Sequence, residues 1–192
     1  INTTTDAGFR LDVNGTARMN TLTVGLGAGQ IATNTVLGFQ GLFLNTTGLQ
    51  NVAVGYQSLY TNTTGGQNVA IGVSSLVFNT TGTGNTSVGD ESMLRNTTGA
   101  RNTAIGQRAG TFAGSGTANN QTSSNSIYLG YQTRASASGA TNEVVIGYDA
   151  LGEGNNSVVL GNTSITKTIL RGNVLINTTT DAGFRLDVNG TA

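Results

Sequence analysis

Between residues 34 and 109 the apolar and polar positions recur on one period of 17. From the second unit on, each opens Asn-x-Ala/Ser-Val/Ile-Gly, and the first four units continue with a large apolar residue and then Asn-Thr-Thr-Gly. The marking glycines are Gly38, Gly55, Gly72, Gly89 and Gly106. The large apolar residues are Leu42, Leu59, Leu76 and Met93, and the Asn-Thr-Thr-Gly blocks open at Asn45, Asn62, Asn79 and Asn96. Short apolar runs bounded by Gly and Asn predict short strands rather than helices. Side chains alternate across a strand. Val54 and its equivalents Leu37, Ile71, Val88, Ile105, Leu129, Ile146 and Leu160 are all apolar, so this face is predicted to build the core. Ala53, Ala70, Ser87 and Ala104 are small, so the other face is predicted to lie outward and to allow close approach between chains. Leu59 and its counterparts are predicted to point inward from a second short strand.

One such unit buries almost nothing by itself and is stable only against its neighbours. The pattern therefore predicts an all-β fold, a parallel β-solenoid or β-roll of about 17-residue coils. Identical positions would line up as ladders: Val54, Ile71, Val88 and Ile105; Asn45, Asn62, Asn79 and Asn96; Gly55, Gly72, Gly89 and Gly106. Glycine and Asn would turn the corners.

The rhythm breaks after Gly106. A polar stretch, 111–124, moves the next marker to Gly130 and predicts an irregular loop bulging from one coil. The motif returns at Gly130, Gly147 and Gly161. The solenoid is thus assigned to residues 34–162, preceded by a hairpin or shaft segment, 1–33, and followed by an exit segment, 163–192. Asn14-Gly15 between alternating runs is a hairpin signal, Thr21 to Val24 reads as a strand, and Ile165 to Arg171 reads as an alternating exit strand. Residues 1–17 recur letter for letter as 176–192. That identity reads either as two copies of a linker flanking the repeats or, the favoured reading, as tandem units within a longer parent chain, with Arg then expected at position 193.

Composition narrows the function. Only 9% of residues are charged and the formal net charge is zero, against about 25% charged in typical domains. Nothing in that balance attracts nucleic acid. No apolar run is long enough for a membrane-spanning helix. Histidine and cysteine are absent, which removes the usual general bases, thiol nucleophiles and transition-metal ligands. The acids are scattered. Asp90 and Glu91 are adjacent, and neighbours on a strand face opposite ways, so they make a poor glycosidase pair. The expectation is no catalytic, metal or cofactor site.

Three surface patterns have both a plain and a functional reading. The sequons at Asn45, Asn62, Asn79, Asn85 and Asn96 are glycan acceptors in form, or simply turn chemistry, which is favoured. The Thr pairs at 46–47, 63–64, 80–81 and 97–98 form either solvated corners or a hydroxyl array of ice-binding type. Phe39, Tyr56, Val73, Tyr131 and Tyr148 follow the glycines and read as packing ladders rather than a sugar platform. The segment 111–124 is the first place to look for a receptor contact.

The strings Asn51-Val-Ala-Val-Gly55, Asn68-Val-Ala-Ile-Gly72, Asn102-Thr-Ala-Ile-Gly106 and Asn156-Ser-Val-Val-Leu-Gly-Asn162 resemble the head repeats of trimeric autotransporter adhesins. The ending from Gly161, with Leu186-Asp-Val-Asn-Gly-Thr-Ala192, is similar to tail-fibre-type proteins of bacteria and phages. The resemblance implies a homotrimeric β-roll in an extracellular fibre, on a cell surface or a virion. Its implied role is structural, with adhesion to a cell-surface glycan or protein receptor as the alternative.

Overall fold

The computed structural model describes residues 17–19 and 22–170. Apart from one 3-10 turn, Ala28–Gln30, the regular elements of the described part are short β-strands joined by turns, namely β1 (Ala17–Met19), β2 (Leu22–Gly25), β3 (Thr35–Leu37), β4 (Val52–Val54), β5 (Val69–Ile71), β6 (Thr86–Val88) and β7 (Thr103–Ile105), then β8 (Phe112–Ala113), β9 (Ala118–Asn119), β10 (Ile127–Leu129), β11 (Val144–Ile146) and β12 (Val158–Leu160). One ten-stranded sheet runs β1-β2-β3-β4-β5-β6-β7-β10-β11-β12. From β3 onward every neighbouring pair is parallel and in register, with Val54 beside Ile71, Ile71 beside Val88 and Val88 beside Ile105. This is the β-solenoid, with coils 17 residues apart through its regular part. At a strand spacing of about 4.8 Å, the stack from β3 to β12 rises about 34 Å.

The hairpin β1–β2 closes the N-terminal end, with β2 antiparallel to β3. The strand expected at Thr21 to Val24 is β2. The expected turn at Asn14-Gly15 lies outside the described residues.

Which face is inside is the reverse of the expectation. Ala53, Ala70, Ser87 and Ala104 are wholly buried, as are Tyr128 and Val145 in the same column. The Val54 column faces out, with Leu37 43%, Ile71 39% and Ile105 46% exposed. The physical reason is the narrowness of the coil. One large residue per coil, Leu42, Leu59, Leu76 or Met93, already fills the interior at 0–1% exposure. Where a serine such as Ser58 or Ser75 shares the layer, only a small side chain fits from the strand; in the first coil Gly41 stands in that place and Val36 is buried beside Leu42. The small residues are therefore not a surface for the approach of a second chain.

The second expected strand is absent as well. Leu42, Leu59, Leu76 and Met93 do point inward, but from single left-handed residues with φ between 45° and 53°. Two more left-handed positions turn each regular coil, for example Gln57 and Gln67 in one and Ser74 and Gly84 in the next. A non-glycine residue in this region is uncommon. It is held here by inter-coil bonds such as Ser74 N–H to Tyr56 O at 2.8 Å.

The stretch 111–124 is not an irregular loop. Most of its extra length is the two-stranded hairpin β8–β9, after which Gln121 rejoins the ladder by accepting the Thr97 N–H. The expected exit strand is not formed between Ile165 and Leu170, where no sheet pairing exists. Ile165 instead folds back over Gly161.

Candidate functional site

Two features stand out from the coils: an apolar outer face on the sheet and a cluster of buried polar side chains inside it.

The outer face is made by the first and third residues of each parallel strand. The third-residue column is Leu37, Val54, Ile71, Val88, Ile105, Leu129, Ile146 and Leu160. Beside it stand Thr35, Val52, Val69, Thr86, Thr103, Ile127, Val144 and Val158. Neither column contains a charge. Two columns about 7 Å apart over about 34 Å make an apolar strip of roughly 240 Å². Phe39, Tyr56 and Val73 widen it past the glycines, each 37–50% exposed. At this size the strip is no larger than the biggest apolar patch of an ordinary monomer, about 300–600 Å²; what distinguishes it is that it runs uncharged along every coil.

The ring pairs Phe39–Tyr56 and Tyr131–Tyr148 are stacked at 5.8 and 5.4 Å. Stacked rings cover each other's faces, and a sugar would need a free face, so within the pairs the ladder reading is the better one. A third pair, Phe43–Tyr60, stacks at 5.3 Å.

The Asn of the Asn-Thr-Thr-Gly blocks form a continuous internal ladder. Nδ2 of Asn62, Asn79 and Asn96 each donates to Oδ1 of the Asn one coil earlier at 2.8 Å. A second column, which the sequence reading did not single out, runs through Asn34, Asn51, Asn68, Asn85 and Asn102. There each Oδ1 accepts the backbone N–H of the next Asn at 2.8–3.0 Å. All these amides are at most 2% exposed, so the sequon nitrogens of Asn45, Asn62, Asn79, Asn85 and Asn96 are enclosed. The signal for the second column was the Asn that opens every unit.

The glycine column is equally close. A Cβ on Gly55, Gly72 or Gly89 would lie 2.3–2.6 Å from the carbonyl oxygen of the next glycine. The first Thr of each pair is used internally: Thr46, Thr63 and Thr80 donate to the carbonyl one coil on at 2.9–3.1 Å. The second Thr column, Thr47, Thr64, Thr81 and Thr98, is exposed throughout, whereas in the first only Thr46 is. Asp90 and Glu91 are held by neighbours in the next coil, Gln107 and Arg108. Comparison with protein-family models, characterised proteins and solved structures returns no match. Nothing beyond the geometry therefore assigns a role to either feature.

The interior changes character where the hairpin β8–β9 is inserted. The count of 24 residues across the insertion puts Asn120 in the Asn96 column and Ser126 in the Asn102 column, and 17 more put Glu143 there. Tyr128 takes the Ala104 position. Asn120, Ser123, Ser126, Tyr128 and Glu143 are all at most 2% exposed. Where each Asn amide donated to a carbonyl, the Glu143 carboxylate accepts instead. Its Oε1 receives Gly154 N–H at 3.0 Å, and Ser136 N–H reaches both oxygens at 3.3 Å. Burial pushes the Tyr128 hydroxyl above its ordinary pKa and the Glu143 charge adds to this, while Ser126, Ser123 and Asn120 around it pull the other way. Sequence reasoning passed over this cluster because Glu143, in a column otherwise filled by Asn and Ser, looked like one of several scattered acids.

Proposed function

We propose that the chain is a structural segment of an extracellular fibre, on a cell surface or a virion, assembled as a homotrimer through the outer face of its parallel sheet. The observation that carries this reading is the uncharged, half-exposed strip from Leu37 to Leu160, which follows every coil of the stack. Covering such a strip with the same strip, or with the exposed Phe43, Leu44 and Phe78 of another copy, removes apolar area from water at about 25 cal/mol per Å². Stiffness comes from the coils themselves, since each adds inter-coil hydrogen bonds and a core layer to the last. The resemblance of the repeats to adhesin heads and tail fibres supports the same reading.

The test is native mass by light scattering at several concentrations. A concentration-independent mass of three chains is the expected result. A monomer at all concentrations would overturn the trimer.

A second reading rests on the hairpin β8–β9, whose residues Ser115, Thr117, Ala118 and Asn119 are exposed and interrupt the regular surface. In it the segment is an adhesin that contacts a glycan or protein receptor there. Binding to a glycan panel that disappears when the hairpin is trimmed would favour it.

A further inference from the structure

We infer that the cleft at the C-terminal end of the stack binds a neutral saccharide unit through the carboxylates of Asp149 and Glu153 and the hydroxyls of Thr163 and Ser164. The inference rests on the adhesin reading above and moves its glycan contact from the hairpin surface to the cleft beside it. The cavity there measures about 430 Å³. Small-molecule sites are typically about 300–1,000 Å³, with apolar walls and a few placed polar groups.

Its walls are fixed by bonds that do not use those groups. Arg134 and Leu151 pair in parallel outside the main sheet. Asn162 donates Nδ2 to Tyr148 O at 2.8 Å, and its Oδ1 accepts Ser164 N–H at 2.9 Å. Ile165 N–H closes the same turn on Asn162 O at 3.1 Å. Thr163 and Ser164 thus stand exposed on a bonded turn, with their hydroxyls free of it. On the other side, a Cβ on Gly116 would lie 3.0 Å from Arg134 Nη1, so the hairpin β8–β9 lies against the guanidinium that lines the cleft.

The ligand class follows from what is left over. Arg134 is spent within the wall, its Nη2 on Asp149 Oδ1 at 2.9 Å and on Asp149 O at 3.3 Å. Asp149 is thereby oriented, with Oδ2 unpaired on a side chain that is 44% exposed. Glu153 is exposed and belongs to neither ion pair of the described residues. One arginine against two carboxylates leaves a net negative charge, and the free groups are acceptors and hydroxyls. A ligand must therefore bring donors and no anion. A sugar ring brings several O–H groups, and hydrogen bonds from these to carboxylates are the strong, charge-assisted kind. Leu151, Val159 and Leu160 line the same cavity and offer apolar contact to the C–H face of the ring. An acidic sugar would set its own carboxylate against Asp149 and Glu153, so the lining selects against it.

The test is saturation-transfer NMR on the whole chain with two sets of probes. One set is neutral hexoses, N-acetylhexosamines and their short oligosaccharides. The other is glucuronic acid and N-acetylneuraminic acid. At least one neutral sugar should bind, with Kd on the order of 1 mM for a monosaccharide of about a dozen heavy atoms, and the acidic sugars should not. Asp149→Asn and Glu153→Gln should each weaken that binding at least tenfold, whereas Ser115→Ala with Thr117→Ala on the hairpin should leave it unchanged. Transfer from no neutral sugar at tenfold higher concentration would overturn the cleft site, and so would equal binding of the acidic sugars. If binding survives both cleft variants and is lost in the hairpin variant, the adhesin reading stands with its contact on the hairpin, and the cleft inference falls. The comparison of neutral with acidic sugars uses the unmodified chain and gives its answer even if a variant fails to fold.

Discussion

A Cβ built on Gly110 would lie 2.8 Å from Cδ2 of Tyr128 and 3.4 Å from Cγ of Met93. Gly110 occupies the column that Leu42, Leu59, Leu76 and Met93 fill in earlier coils, and Tyr128 occupies the column of Ala53, Ala70 and Ala104. The large and small residues have exchanged columns, and the tyrosine ring uses the space that the missing side chain leaves. Gly110→Ala should therefore cost about 1–3 kcal/mol by overpacking. The exchange Gly110→Leu with Tyr128→Ala returns the Leu/Ala arrangement of the regular coils. It should be more stable than the sum of the single changes implies, by at least about 1 kcal/mol in a double-mutant cycle of denaturant unfolding.

The glycine column tests how close neighbouring coils run. Gly72 has φ of 132°, and a methyl there would sit 2.4 Å from the Gly89 carbonyl oxygen. Alanine both strains this backbone and separates two coils, so Gly72→Ala should cost more than about 2 kcal/mol. An unchanged urea midpoint would contradict the inter-coil spacing.

The assignment of inside and outside predicts opposite behaviour for neighbouring residues. Leu59→Ala should lose about 2–5 kcal/mol, and Ala70→Val about 1–3 kcal/mol. Ile71→Thr, on the outer face, should change the stability of the single chain by no more than about 0.5 kcal/mol. Its effect should appear as weaker self-association in sedimentation or light scattering. If Ile71→Thr proved as costly as Leu59→Ala in a monomer, the two faces would have to be exchanged.

The Asn ladder makes a prediction about modification as well as stability. Asn79 donates to Asn62 Oδ1 and Gly82 O and accepts from Asn96. Asn79→Ala leaves buried groups unpaired at about 1–3 kcal/mol each. Because these nitrogens are enclosed, intact-mass measurement after expression in a glycosylating host should find no glycan at Asn45, Asn62, Asn79, Asn85 or Asn96 once the chain has folded.

Alkaline stability should depend on Tyr128. Its folded pKa is raised above the ordinary 10.0, chiefly by burial. The unfolded chain therefore releases this proton first, and stability present below about pH 10 falls as pH rises past it. Tyr128→Phe should flatten that fall in a pH series of unfolding midpoints, although its stability at neutral pH will be lower for the lost hydroxyl contacts.

Much of the architecture was written in the sequence because a repeat carries its own register. A period of 17 kept through Gly38 to Gly106 permits one alignment of coil on coil, and that alignment makes ladders of Asn and Gly before any contact is known. The positions of the strands followed from the same period. What the pattern left open was its phase. Alternation says that Ala53 and Val54 face opposite ways, but it cannot say which way is in. Hydrophobicity pointed to Val54. The tertiary structure chose Ala53, because Leu59 and Ser58 already fill the interior of that coil, and a larger residue, Val36, is buried in this column beside Leu42 where Gly41 replaces the serine. The left-handed backbone at Leu59 was hidden for a related reason: leucine has no preference for it, and only the closure of the coil and the bonds to its neighbours impose it. The polar interior at Glu143 could be reached by counting across the insertion, yet its meaning depends on Tyr128, Asn120 and Ser136 meeting there. Sequence determined the repeat, its register and its β character, since these are periodic. Packing decided which face is buried and which oxygens converge, since these depend on the space left between coils.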